Sequence, residues 1–395
     1  MIGTLRQRNY SGSRQIRRAV VIVWTAISVT LLIGFAALAV DLGYVYVVRD
    51  QLQAAADAAA MAGVSAFASP SQFVKNSNPN SLTTLAVSRA QDYVSKNYAD
   101  RKTLTLAASD ITVGHLAHPE DLTDTITISV HPYNAVKCTV LKSSASSNGP
   151  VGTFFAKIWG IQNVALAASA TAVLNTHLGG YKAKTTGGPL IPITIGEATW
   201  TDQITNEHGG DAYAFNYQTS QITKAADGID EINIYPGKTN PGNFGLLNFD
   251  NGNNSASTVG DQIQSGLTAA EVTRTIGSDT FTFSKDIVSP TGDVTGVPLT
   301  YAIDGTPGLK ASLQSALDTR IGTVVGIFIN KQVTGNGSNC VYTITGIQYG
   351  ILLAADLQSG NKAVIMQPTV YVGTENVIDA EAPATQTGGR IELVR

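Results

Sequence analysis

Between Ala19 and Val40 the chain reads AVVIVWTAISVTLLIGFAALAV, an apolar run interrupted only by Thr25, Ser28 and Thr30. So long an uncharged segment marks a candidate membrane span. As a helix rising ~1.5 Å per residue it is about 33 Å long, enough for a bilayer core of ~30 Å. Trp24 stands near one end of the run, and Tyr44 and Tyr46 follow the other, where aromatic rings favour the membrane interface. Arg6, Arg8, Arg14, Arg17 and Arg18 precede the run, and the first acidic residue of the chain is Asp41, just after it. The excess of positive charge therefore puts residues 1–18 in the cytoplasm, residues 19–40 across the membrane and everything from Asp41 onward outside. Ala37-Leu38-Ala39 imitates a signal-peptidase site. The run, however, exceeds an ordinary signal core of roughly 7–15 residues, and helical sequence continues past it, so a retained anchor is expected.

Asp41 to Gly63 (DLGYVYVVRDQLQAAADAAAMAG) lacks proline and is rich in Ala, Leu and Gln, so residues 41–66 are expected to prolong the membrane helix as a stalk. Asp50, Gln53 and Asp57 share one face by their spacing, and Leu52, Ala55, Ala59 and Ala62 share the opposite one. The second face carries mostly methyl groups and permits close approach of another element, from this chain or from a neighbouring subunit. Gly63 and Ser69-Pro70 mark the stop.

Beyond the stalk the expected class is α+β, with an α+β module over 67–176, a Gly-rich linker over 177–188 (HLGGYKAKTTGG) and a β-rich module over 189–395. In the first module a helix is expected over Ser81–Asp100. Strands are expected over Ile111–His115, Thr125–Val130, where Ile126, Ile128 and Val130 alternate with polar residues, and Val164–Leu174. The 38 glycines suit many short strands joined by turns. Charged residues make up 14% and the net charge is −3, which gives no reason to expect nucleic acid. The two cysteines, Cys138 and Cys340, lie in a compartment that permits a bridge; they either join the two modules or remain separate thiols.

No arrangement of residues calls for catalysis, a cofactor or a metal. Gly237-Lys238-Thr239 resembles the end of a phosphate loop, but Ile232 occupies the position of its first glycine and Pro236 removes an N–H donor. His115 and His118 have no Cys pair or His-Glu-x-x-His context, and Pro119 breaks any helix joining them to Glu120 and Asp121. Phe249–Asp261 gathers Asp250, Asn251, Asn253, Asn254 and Asp261, but read as a calcium loop it has Gly252 and Ser255 at the third and sixth positions. No Gly-x-Ser-x-Gly, Ser-x-x-Lys or Cys/His set stands out.

The segment GFAALAVDLGYVYVVRDQLQAAADAAAMAGVSAF, preceded by basic residues and an apolar run, resembles the N-terminus of TadG-like proteins of the TadE/TadG family. VGTFFAKIWGIQNVALAASATAV, Val151 to Val173, resembles that family's Phe-Phe-Ala stretch and the strand after it. PGNFGLLNFD and VYTITGIQYGILL are similar to the C-terminal half of some relatives. The resemblance implies a non-enzymatic, accessory or minor-pilin-like factor of tight-adherence (Flp) pilus assembly. It would sit in the inner membrane with its bulk periplasmic or extracellular, its partners being other pilus-assembly subunits. Asp41, Gln53, Asp57 and the face of Leu52, Ala55, Ala59 and Ala62 are then the candidate assembly contacts. Two departures limit the likeness. Ala19 and Trp24 stand where prepilin-peptidase substrates carry Gly and Glu, so that processing is not expected, and no Asp-x-Ser-x-Ser metal site occurs. The other readings open at this point are a membrane-tethered adhesin or ligand-binding protein and a tethered hydrolase.

Overall fold

A computed structural model describes residues 12–394 except 76–78, 122, 129, 131–132, 218, 236–243, 251–254, 284–298, 336–338, 361, 381, 383–384 and 386, and the side chains of 12–20 and 79–80. Helix α1 (Gly12–Val64) is continuous for 53 residues, joining the apolar run and the stalk without a break. Its apolar part is long and hydrophobic enough to cross a membrane. Between Val21 and Val40 every side chain is exposed except Gly34 and Ala37. From Asp41 onward the helix acquires a buried face: Val48, Leu52, Ala55, Ala56, Ala59 and Ala60 have no accessible surface.

That face lies against helix α2 (Pro79–Ser95) and a sheet that opens with β1 (Ile111–Gly114), β2 (Ala135–Lys142) and β3 (Leu166–Asn175). Leu82, Ala86, Ala90 and Val94, four residues apart, form the stripe by which α2 meets the core. β1 and β3 both pair antiparallel with β2. The alanines of α1 suit this packing because the helix end sits close on the sheet: a Cβ at Gly63 would lie 2.9 Å from Cγ1 of Val136. The small face is thus covered by this chain's own sheet and second helix, as an ordinary amphipathic helix would be.

The chain next forms β4 (Leu178–Lys182), within the segment expected as a linker, and then a second sheet. This contains β5 (Leu190–Gly196), β6 (Phe244–Leu247), β8 (Tyr301–Thr306), β9 (Val324–Thr334), β10 (Cys340–Asp356) and β11 (Ala363–Pro368), while β7 (Thr280–Thr282) pairs with β4 in a small sheet of its own. β5, β6, β8, β10 and β9 pair in that order, and β9 pairs back with β5 in parallel, so the strands close into a ring. Closure leaves no open edge among these five strands. β11 and the short strand Ile232–Asn233 extend from β10. On one face of the ring Phe249, Phe281, Phe328, Tyr342 and Tyr349 pack together with Val272 of helix α4 (Ala269–Ile276), and the other is covered by helices α3 (Ala256–Ser265) and α5 (Gln314–Asp318) together with Trp200 and Ile204. Tyr342 needs two glycines: a Cβ at Gly245 or Gly305 would fall within 3 Å of its ring.

The last strands return. β12 (Tyr371–Val372) and β14 (Gly388–Val394) complete the first sheet, in the order β12-β14-β3-β2-β1, while β13 (Asn376–Ile378) pairs with β4. β14 runs antiparallel beside β3 with Arg390 opposite Asn175. The chain therefore leaves the first sheet after β3 and returns to it through the edge strand β12 and then through β14, which lies beside β3. The expected strand Thr125–Val130 reduces to one bridge, His115 with Thr127: Ile126 packs against Leu116, Ala135 and Val173, but Ile128 and Val130 face solvent.

Candidate functional site

The sequence features meet where α1 leaves its apolar run. Asp41 is buried there, and its carboxylate accepts three backbone N–H groups, from Phe154 (2.7 Å), Phe155 (2.9 Å) and Ala156 (2.6 Å). These amides begin a 3-10 turn, Ala156–Trp159, whose first N–H groups have no partners of their own within the turn. Burial raises the carboxyl pKa, but the three amides and the nearby Lys157 outweigh it and hold Asp41 below the ordinary carboxylate value of 3.8. With the folded value depressed, the stabilisation is fully present above the unfolded value and is lost as pH falls through the folded one. Tyr44, one turn further on, packs its ring edge-to-face on Phe154 at 5.1 Å.

Substituting Asp41 by Ala leaves those amides without an acceptor. We expect the Phe154–Ala156 amides of the variant to exchange with solvent at least about tenfold faster, with exchange in the ring of strands unchanged. Hydrogen exchange resolved by mass spectrometry checks this.

A second fixture ties α1 to the sheet. The Tyr44 hydroxyl donates to Asp100, whose other oxygen pairs with Lys142 at 3.4 Å, and the Lys142 side chain is wholly buried at the end of β2. Lys142 also donates to the Asn148 carbonyl (3.1 Å), and Gln51 accepts the Asp100 N–H (3.1 Å). Asp100 and Arg101 adopt positive φ, the tight turn that joins Tyr98–Ala99 to Lys102–Thr103. Sequence reasoning missed this network. The available signal was parity along β2, which puts Lys142 on the same face as Val136, Cys138 and Val140, all buried.

The other candidates divide. Gln53 is exposed and donates to Asp57 (2.9 Å) and to the Ser169 carbonyl of β3 (3.1 Å), so both residues sit at the rim where α1 crosses the sheet. Leu52, Ala55, Ala59 and Ala62 face inward. Cys138 faces the α1 core from β2, and burial pushes its thiol up to about 12; Cys340 begins β10 in the aromatic core. The two lie in different sheets as free thiols, so the bridge considered from sequence is not formed.

Gly237-Lys238-Thr239 and Asn251, Asn253 and Asn254 lie outside the described residues. Asp250 is engaged by the Arg274 guanidinium. His118 lies beside Glu120 at 3.4 Å on the surface. Among the described residues no three His, Cys, Asp or Glu side chains cluster as a metal site.

Two family models match the chain in sequence order. Residues 19–66 match the Flp pilus-assembly TadE/G-like family, and residues 47–172 match the Tad-like Flp pilus-assembly family. No curated protein and no solved structure matches. The first match covers the apolar run and stalk with Asp41 inside it; the second runs from the stalk through the Phe154–Ala156 turn into β3. The side chain and the amides that meet at the foot of the stalk are thus carried by the matched region, and from Ala19 to Ala172 the chain is similar to the TadE/G-like and Tad-like Flp pilus-assembly families, which supports a TadG-like protein.

Proposed function

We propose that the chain is a membrane-anchored component of the Flp pilus-assembly apparatus that acts by protein association rather than turnover. In this reading α1 crosses the inner membrane with its N-terminus in the cytoplasm, and the sheet and ring of strands stand outside. The observation that carries it is the continuity of one helix through both matched regions, with its apolar half bare and its second half rooted in a folded platform. Because the alanine face is consumed by that platform, contacts to other subunits fall to the opposite side of the stalk. There Tyr46, Val47, Asp50 and Gln53 are exposed, with Asp57 at the edge. Asp41 and the buried alanines serve assembly indirectly, by fixing the angle at which the stalk meets its sheet.

The test is made in cells of the native host. Deletion should abolish surface pili, the protein should remain in membranes washed with alkaline carbonate, and a photo-crosslinking residue at Tyr46 or Gln53 should capture another membrane-anchored assembly subunit. Normal piliation after deletion would sink the proposal. Release of the protein into the medium would sink the anchor.

A further inference from the structure

We infer that the turn Phe154–Ile161 is a second membrane-embedded element, entering the outer interfacial layer of the bilayer alongside α1; this rests on α1 being the membrane anchor. The turn displays Phe154, Phe155, Ile158, Trp159 and Ile161 to solvent, with Ile158 80% and Trp159 61% exposed. Outside α1 no other described stretch exposes so many large apolar side chains; Ile128 with Val130 is the next densest group. So many bare aromatic and aliphatic groups in one place mark a surface that is covered in use.

Its position identifies what covers it. Asp41, the residue that ends the apolar run, holds the Phe154, Phe155 and Ala156 amides, so the turn stands at the level where α1 would leave the bilayer. It also touches α1 itself. Ala37, one helical turn below Asp41 and about 6 Å further into the apolar run, is the one buried side chain between Val21 and Val40. The apolar turn and the apolar helix therefore present side-by-side surfaces at the same height. A water-soluble partner at that height would have to displace lipid from both.

The backbone is prepared for a poorly hydrated layer, where an unpaired N–H is costly. Asp41 takes the amides of Phe154, Phe155 and Ala156. The N–H groups of Thr153, Ile158, Gly160 and Ile161 bond to the carbonyls of Gln162, Phe155, Lys157 and Ala156, and the Thr153 hydroxyl donates to the Ile161 carbonyl (2.5 Å). Trp159 suits the interfacial zone, with an apolar ring and one N–H, and Lys157 is exposed within the turn, with a stem long enough to reach headgroups.

The experiment uses the full chain in lipid nanodiscs that carry phospholipids brominated at shallow or at deep acyl positions, with tryptophan emission as the readout. Trp24→Phe leaves Trp159 and the buried Trp200, which lies in the second core and supplies a constant background. Trp159→Phe leaves Trp24 as the reporter of the anchor. The expected result is loss of Trp159 emission, greater with shallow than with deep bromines, together with quenching of Trp24. If Trp24 is quenched and Trp159 is not, the inference is overturned while the anchor stands, and the patch then belongs to a protein partner. If neither is quenched, the anchor reading fails and the inference with it.

Discussion

Truncating the chain before Gly388 is expected to unfold the sheet behind α1, more than two hundred residues away in sequence. β14 is an inner strand of that sheet: removing it strips β3 of the ladder that runs from Asn175–Arg390 to Thr171–Val394 and leaves β12 without a partner. Ile391 and Leu393 pack on the α1 core, and the Gly389 carbonyl takes the buried Asn376 amide at 2.9 Å. Net hydrogen bonds near ~1 kcal/mol each and two half-buried aliphatic side chains put the loss at about 5 kcal/mol. That equals the lower end of the stability of a whole domain. Urea denaturation followed by far-ultraviolet circular dichroism, with proteolysis at the stalk as a second readout, would measure it. A truncated chain whose stalk and sheet resist urea and protease like the parent would refute the placement of β14.

Lys142→Ala should cost about 3 kcal/mol, because it leaves the Asp100 carboxylate, which is 18% exposed, facing a vacated interior position. Tyr44 would lose the fixed position of its acceptor, and with it the joint that holds the foot of the stalk against the Tyr98–Thr103 hairpin. A compensating variant separates charge from packing. Lys142→Met combined with Asp100→Asn removes both charges while keeping the volumes, and should restore most of the loss. Equal destabilisation by the single and the combined variants would show that the cost lies in neither the unpaired charge nor the stem packing, but in hydrogen bonds such as that from Lys142 to the Asn148 carbonyl.

Part of this architecture was legible in the sequence because it rests on local spacing. The apolar run, the helix that continues beyond it and the split between Gln53 and Asp57 on one side and the alanines on the other all follow from helical periodicity. The expected strand Val164–Leu174 lies close to the observed Leu166–Asn175 because it too rests on local pattern. What spacing could not supply was partnership. The ring closes through a parallel pairing of β5 with β9, strands separated by most of the second region, and no local pattern encodes such a pairing. Ile391-Glu392-Leu393 stands out as an apolar alternation in a polar tail, yet its sheet lies at the other end of the chain. Asp41 shows the same limit. After an apolar run it reads as a charge that sets orientation, and its work as a cap is visible only once the Phe154–Ala156 amides are folded against it. The spans at 125–130 and 177–188 failed in opposite directions. One alternates but packs only its first apolar residue, Ile126, and the other is glycine-rich because its backbone is crowded: a Cβ at Gly180 would lie 2.1 Å from the Phe281 carbonyl oxygen.

The exit of the chain through β3 and its return, by way of β12, through β14 has a mechanical consequence. The two strands leave the sheet side by side at the same end, where Asn175 faces Arg390. A pull on the distal ring of strands reaches the base as two tensions rather than one. β3 is flanked on its far side by β2, and β14 by β12, through which the returning chain first rejoins the sheet. A module attached through a single linker would concentrate the same force on one row of hydrogen bonds. With both ends held in one sheet beside the root of the long apolar helix, the distal ring cannot be pulled away without loading two rows of hydrogen bonds at once.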